Sequence, residues 1–131
     1  MDSITTTTFK SMSPQLLVQD IERSLEYYIL KLGFDLDFRY EDFYAGVSRD
    51  GHSIHLKQGI PSTHERANRK DNEHLDIAFI VEGLDALLKH VQKQSVEIAQ
   101  QPRDMPYGRE FYVFDPDGYI LGFLEAAQGR I

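Results

Sequence analysis

An internal repeat constrains the fold of this chain more than any other feature. The segment PQLLVQDIERSLEYYILKLGF, which starts at Pro14, aligns with IAFIVEGLDALLKHVQKQSVEI, which starts at Ile77. Apolar residues recur at one constant separation: Val18, Ile21, Leu25 and Tyr28 align with Val81, Leu84, Leu88 and Val91. Farther along, RDGHSIHL aligns with PDGYILGF, so that Gly51 pairs with Gly118. The pattern therefore predicts two copies of one supersecondary unit.

Each copy is predicted as one strand, one helix and three further strands. In the first copy, the apolar run 15–18 favours a strand, and Asp20 can cap a helix that ends at Gly33. The strands expected after this helix span residues 34–40, 44–48 and 53–57. In the second copy, a helix over 84–91 is expected among strands at 76–81, 96–99, 111–114 and 119–124. The fold class is thus α+β, with two βαβββ modules.

The domain organisation follows from the repeat. A chain of 131 residues suits one domain. Residues 1–12 are predicted as a flexible N-terminal tail, and residues 13–131 as a single domain. Module one spans 13–57 and module two spans 73–125. Residues 58–72 are polar and contain Gly59 and Pro61, so they are predicted as a linker loop and a candidate lid over a site.

Composition excludes several function classes. Lys and Arg total 14 against 21 Asp and Glu, a formal charge of −7. This charge argues against nucleic-acid and anionic-membrane partners and is compatible with a cationic ligand, although solubility alone explains it well. The absence of cysteine excludes thiolate nucleophiles, disulfides and thiolate zinc sites. With no signal-peptide pattern and no long apolar run, a cytoplasmic location is expected.

The duplicated module resembles the vicinal oxygen chelate superfamily, which includes glyoxalase I, ring-cleaving dioxygenases and bleomycin-resistance proteins. The resemblance covers roughly residues 13–125. It is carried by the motifs VQDI, LGF, PYGRE and DPDG, which start at Val18, Leu32, Pro106 and Asp115. It implies that the modules form a curved mixed sheet around a cavity. It also implies a homodimer, with strands or modules exchanged between subunits in some relatives.

The resemblance further implies four positions that face one another inside this cavity and hold the metal of metal-using relatives. Here they are Ser13, His55, Asp76 and Gly122. A catalytic metal needs about three protein ligands, and serine and glycine are poor ones. No metal cofactor is therefore expected. The alternative is a divalent metal ion held by His55, His74 and Asp76 in a lyase, isomerase or dioxygenase.

Without a metal, these positions become parts of a small-molecule pocket. The expected ligand contacts are residues that alternate onto one strand face, together with two residues of the PYGRE motif. They are Ser13, Gln15, Ser53, His55, Lys57, Asp76, Tyr107, Arg109 and Gly122. Gly122 is expected to leave room in the pocket. Arg109 can meet a ligand carboxylate or pair at the surface. Aromatic residues at 40, 43, 44, 111, 112 and 114 can stack on planar ligands, but core packing is the favoured interpretation for them.

The closest pattern is the metal-free bleomycin-resistance type. The favoured hypothesis is a glyoxalase- and bleomycin-resistance-like protein that binds a small molecule and is not an enzyme, with sequestration of a drug or metabolite as one form of this role. If catalysis occurs, His55 is the best candidate base, because neutral imidazole accepts a proton near pH 7. A subunit that serves only partner recognition is a third option. Bleomycin itself is disfavoured because the chain has no tryptophan on which the drug could stack.

Overall fold

The computed structural model of the protein describes residues 6–127. Eight strands and three α-helices follow one another in this part of the chain. Module one contains β1 (Gln15–Val18), α1 (Ile21–Glu26), β2 (Asp35–Tyr40), β3 (Tyr44–Arg49) and β4 (His52–Gln58). After α2 (Thr63–Asp71), module two contains β5 (Ile77–Ile80), α3 (Leu84–Lys93), β6 (Ile98–Met105), β7 (Gly108–Phe114) and β8 (Ile120–Ala126).

The first helix begins and ends where the sequence predicts. The Asp20 carboxylate accepts a hydrogen bond of 3.2 Å from the Arg23 N–H, which satisfies one of the free donors of the first turn. After Glu26 the helix widens into a π-helical segment, Tyr27–Lys31. Gly33 then reverses the chain at φ 75°, a conformation that L-residues with a side chain rarely adopt.

Each module forms its own four-stranded mixed sheet, with strand orders β1-β4-β3-β2 and β5-β8-β7-β6. In both sheets the first and last strands of the module are parallel neighbours and the other pairs are antiparallel. Gln15 lies opposite His55, and Ala78 lies opposite Gly122. The predicted α+β class and the duplication of a βαβββ unit are confirmed.

The core lies between the two sheets. One cluster of buried side chains joins the inner face of each sheet with α1 and α3, and it includes Leu16, Val47, Leu56, Leu84, Phe111, Leu121 and Phe123. Because side chains alternate along a strand, the residues between these point away from the core. We call these two surfaces the outer face of module one, around Gln15 and His55, and the outer face of module two, around Ala78 and Gly122.

Polar contacts fasten the two modules together on their helix side. The Tyr27 hydroxyl donates to the Phe114 carbonyl at 2.9 Å, and the Tyr119 hydroxyl donates to the Leu17 carbonyl at 2.7 Å. Asp117 accepts hydrogen bonds from the Gln19 N–H and the Arg23 guanidinium. The outer faces of the two sheets therefore look away from each other within one chain.

The structure departs from the predicted elements in the connections. The segment 58–72, predicted as a loop, contains the helix α2, whose first turn is capped by the Ser62 hydroxyl. Strand β6 extends to Met105 instead of ending near residue 99, because it pairs with β7 as far as Gly108. Residues 1–5 of the predicted tail lie outside the described residues. Among residues 6–127 no helix has the length and apolar character needed to cross a membrane.

Candidate ligand-binding site

The outer face of module one carries a small polar network. The Gln15 amide donates to the Tyr44 hydroxyl at 3.0 Å, and this hydroxyl lies 2.8 Å from Nδ1 of His55. Since Gln15 occupies a lone pair of the hydroxyl, the hydroxyl proton is available to Nδ1. Two of the predicted ligand contacts, Gln15 and His55, are thus held in fixed positions by a third residue, Tyr44.

Aromatic rings surround this network. The rings of Phe38 and Tyr44 stack with centroids 5.9 Å apart, and Phe38 meets the His55 ring edge-on at 5.2 Å. Tyr40 and Phe43 form a second stacked pair at 6.5 Å. We call these five residues the aromatic platform. Tyr40 is 60% exposed and Phe43 is 56% exposed, so the expectation that they pack as core is wrong, whereas Phe111 is buried as expected.

A glycine allows the platform to lie close to the sheet. Gly46 is the strand partner of Phe38, and a Cβ at Gly46 would lie 2.2 Å from the Phe38 ring. The ring therefore lies flat against the β3 backbone, where any side chain would displace it. This placement, and not burial in the core, orients Phe38 toward Tyr44 and His55.

Three further predicted contacts lie on the same face. Ser13 and Ser53 are hydrogen-bonded to each other through their hydroxyls, which places the chain before β1 against β4. Lys57 is exposed and lies opposite Tyr44 in β3 and Leu17 in β1. All five residues predicted from module one therefore share one surface with the aromatic platform.

The outer face of module two is partly covered by the chain that connects the modules. The Asp76 carboxylate accepts from the Ile120 N–H at 2.8 Å and pairs with Arg69 of α2 at 2.9 Å. The Leu75 side chain lies on Gly122, where a Cβ would come within 2.4 Å of its Cδ1. The expectation that Gly122 leaves open room is therefore wrong, because Leu75 fills that space.

A buried carboxylate organises the rest of this face. Glu110 has no exposed side-chain surface and accepts hydrogen bonds from Arg103, Tyr107 and Tyr112. Desolvation alone would raise the pKa of Glu110, but these three donors together lower it below its usual value. The bond to Glu110 in turn raises the pKa of Tyr107 to about 12. Glu110 is thus ionised at neutral pH and fixes Tyr107, a predicted contact, in place.

Sequence reasoning missed Arg103 and Glu110 as members of this face, favoured core packing for Tyr112 and proposed Arg109 as a ligand contact. The Arg109 guanidinium pairs with Asp104 at 3.2 Å and with Asp85 of α3 at 3.7 Å, which corresponds to the surface alternative. The signal was the alternation along β7: Glu110 and Tyr112 share the face of Gly122, whereas Arg109 points to the helix side.

Ser13, His55, Asp76 and Gly122, the four positions expected to surround one hollow, fall into two pairs. Ser13 and His55 lie on the outer face of module one, and Asp76 and Gly122 lie on that of module two. Because both sheets bury their inner faces in one core, these outer faces are on opposite sides of the chain. Convergence of all four within one chain does not occur.

The three residues of the alternative metal site, His55, His74 and Asp76, do not come together within one chain either. His55 lies on module one, His74 and Asp76 lie on module two, and Asp76 is engaged by Arg69. Within residues 6–127, no three His, Cys, Asp or Glu side chains are grouped so that they could hold a metal ion. The geometry gives no support to a site built from His55, His74 and Asp76.

A groove of about 430 Å³ lies away from both outer faces, beside α1 and the start of β6. Its lining mixes charges of both signs with aromatic surface and includes Arg23, Lys31, Glu97 and Phe114. None of the predicted ligand contacts lines it. We therefore place the candidate site on the outer faces, where nearly all of those contacts lie.

The fold thus consists of two βαβββ modules whose outer sheet faces carry polar and aromatic groups. The model of the Glyoxalase/Bleomycin resistance protein/Dioxygenase superfamily matches residues 8–123. The chain belongs to that superfamily. A search of curated proteins gives no match.

Solved structures agree on the fold. TnmS3, an antibiotic binding protein from Streptomyces sp. CB03234, has a TM-score of 0.70 at 21% identity and covers 92% of this chain and 98% of its own. The bleomycin-binding protein of Streptomyces verticillus, complexed with copper(II)-bleomycin, has 0.66 at 22% identity, covering 92% and 99%. The fosfomycin resistance protein FosX of Listeria monocytogenes has 0.73 at 14% identity, covering 95% and 98%.

Proposed function

We propose that this protein binds a small organic molecule with a planar aromatic part and sequesters it, without a catalytic metal. The observation that carries the proposal is the aromatic platform, because rings as large as Tyr40 and Phe43 are seldom left exposed side by side without a partner. A flat ligand stacks on such rings, and the Gln15, Tyr44 and His55 network supplies hydrogen bonds at its edge.

The charge of the guest follows from the surroundings of the platform. The protein carries a net charge of −7, and Asp42 and Glu41 adjoin Tyr40 and Phe43 in the β2–β3 turn. Arg39 offsets part of this charge through its pairing with Asp42 and Glu22. A cationic planar ligand is favoured over an anionic one, because π faces and carboxylates both attract positive charge. The similarity to TnmS3, an antibiotic binding protein, and to the bleomycin-binding protein of Streptomyces verticillus is consistent with a drug-sequestering role.

We further propose that the site is completed by a second copy of the chain. One sheet face cannot enclose a ligand, and a pocket usually buries most of its guest. The outer face of module two offers the second wall, and its Ile80 is 54% exposed. In the proposed homodimer, module one of each protomer faces module two of its partner. This arrangement forms two pockets related by twofold symmetry, and in each pocket His55 of one protomer lies opposite Gly122 of the other.

Titration with proflavine, a planar acridine cation, tests the ligand class. We expect saturable binding at micromolar concentration, and at least tenfold weaker binding by Tyr40→Ala and by Phe43→Ala. Phe9→Ala is the matched control, since Phe9 is 84% exposed and precedes β1. Equal affinities for wild type and both platform variants would contradict the proposal. Bleomycin can be followed in parallel by tyrosine fluorescence, because the chain has no tryptophan.

Subunit mixing tests the composite pocket. Light scattering should give twice the 15.1 kDa chain mass. Tyr40→Ala damages the wall of module one, and Ala78→Trp obstructs that of module two, so each variant homodimer should bind weakly. In the mixed dimer, one pocket carries both changes and the other carries neither. Recovery of one binding site per mixed dimer supports a pocket shared between subunits, and no recovery contradicts it.

A further inference from the structure

Leu75 fills a notch in the outer face of module two. A Cβ built on Gly122 would lie 2.4 Å from Cδ1 and 3.3 Å from Cγ of Leu75, so the isobutyl group rests on the β8 backbone. Gly122 is flanked by Ala78 in β5 and Tyr112 in β7. The two small residues leave a depression beside the tyrosine. Leu75 is only half-buried, so the other side of its isobutyl group faces outward.

Charged contacts hold Leu75 in this notch. Arg69 pairs with Asp76 at 2.9 Å and Glu73 pairs with Arg103 at 3.1 Å, on either side of Leu75 in the sequence. The Lys70 ammonium lies 5.7 Å from the Phe114 ring centroid. No residue of α2 is buried. The connecting segment is therefore fastened to the face by ion pairs and by the apolar contact of Leu75 with Gly122.

We propose that Leu75 determines the size of the ligand group that the module-two wall accepts. The inference rests on the proposed function, because it assigns Leu75 to the second wall of that pocket. With the leucine in place the wall is level, and it suits a flat ring without substituents on that side. Without the leucine, Gly122 and Ala78 form a depression that holds one or two methyl groups. Leu75 thus acts as a specificity-determining residue rather than a packing residue.

Two dyes with the same ring system test this role. Proflavine and acridine orange share the acridine cation, but acridine orange carries methyl groups on both amines. We expect Leu75→Ala to raise the ratio of acridine orange affinity to proflavine affinity by about four- to fifteenfold, the gain from burying one or two added methyl groups. Leu30→Ala is the matched control, because Leu30 is 62% exposed on the helix of module one.

A second substitution refills the notch. Gly122→Ala in the Leu75→Ala background places a methyl group in the depression, so the affinity ratio should return toward the wild-type value. Gly122→Ala alone should displace Leu75 and lower the melting temperature more than it does in that background. If Leu75→Ala lowers the folded yield, Leu75→Val provides a smaller truncation with a smaller expected change in the ratio.

The outcomes separate this inference from the proposed function. If both dyes bind the wild type and the ratio is unchanged in Leu75→Ala, or changes equally in Leu30→Ala, the role of Leu75 is overturned and the proposed function stands. If neither dye binds the wild type, both are overturned. A changed ratio in Leu75→Ala that Gly122→Ala reverses supports both.

Discussion

The Tyr28 hydroxyl of module one donates a hydrogen bond of 2.8 Å to the buried carboxylate of Asp115 in module two. Asp115 also accepts from the backbone N–H groups of Asp117 and Tyr119, both at 2.9 Å. Burial is the largest influence on this carboxyl and raises its pKa to about 6, against the partial compensation of these three donors. We therefore expect the contact between the modules to be sensitive to pH.

Stability should fall as pH rises from about 4 to about 6 because of Asp115. The folded state holds the Asp115 proton up to a pKa of about 6, whereas the unfolded chain releases it near 3.8. The folded state thus binds more protons in this window, and the free energy of unfolding decreases with increasing pH, by up to about 3 kcal/mol. Urea unfolding of wild type and Asp115→Asn at pH 4 and pH 7 measures this.

Asp115→Asn is the informative variant because its amide can keep the backbone bonds without ionising. Its stability relative to wild type should increase between pH 4 and pH 7. A difference that is independent of pH would contradict a raised pKa at Asp115. Asp37→Asn is a matched control, since Asp37 is an exposed carboxylate bonded to Ser48.

Glu110 should change the free energy of unfolding with pH in the direction opposite to Asp115. Its pKa is lowered in the folded state, so its contribution is present above the unfolded value near 4.5 and is lost as pH falls through the folded pKa. Glu110→Ala leaves Arg103, Tyr107 and Tyr112 without their shared acceptor and should cost about 3 kcal/mol, the low end for a broken buried pair because Arg103 is partly exposed. Tyr107→Phe, which removes one donor, should cost about 1 kcal/mol. Chemical denaturation at pH 7 checks the order, and a larger loss in Tyr107→Phe than in Glu110→Ala would contradict it.

Gly108 should not tolerate any side chain. Its φ is 148°, and a Cβ would lie 2.1 Å from the carbonyl oxygen of Glu125 in the neighbouring strand. That oxygen belongs to the backbone, so it cannot rotate away as a side chain can. Gly108→Ala should cost about 3 kcal/mol or more, from backbone strain and the clash together. Gly51→Ala is a comparison that isolates the conformational part, because Gly51 also has a positive φ but no atom within 4 Å of its Cβ position.

The fold was predictable because duplication imposes the same local signals twice. Asp20 caps α1, Gly33 ends the helical stretch, and the apolar positions that align between the copies are buried, such as Val18 and Leu84, or packed half-buried against the core, as Val81 and Leu88 are. The helix α2 was not predictable in this way. Its residues are largely polar, and it is fixed by contacts outside the helix, such as those of Arg69 with Asp76 and of Lys70 with Phe114 in β7, which leave no periodic pattern in the sequence.

The sequence predicts which residues of the candidate site share a sheet face, but it does not predict which residues lie opposite that face. Alternation placed Gln15, His55 and Lys57 on one surface correctly, because side-chain direction along a strand is a local property. Alternation along a strand does not show which other surface of the protein faces the outer face of module one. That relation depends on how the two sheets share the core between them, and that arrangement turns Asp76 and Gly122 away from His55 within the chain.

The platform itself should depend on Gly46. Gly46→Ala places a methyl group within 2.2 Å of the Phe38 ring and should push the ring off β3, at a cost of about 1–3 kcal/mol. Gly46 has no positive φ, so alanine introduces no backbone strain there. In the Phe38→Ala background the added methyl group meets no ring, so Gly46→Ala should cost much less. A double-mutant cycle by urea unfolding gives the coupling, which should exceed about 0.5 kcal/mol. Proflavine titration of Gly46→Ala should show weakened binding together with this coupling, whereas full affinity with a displaced ring would remove Phe38 from the platform.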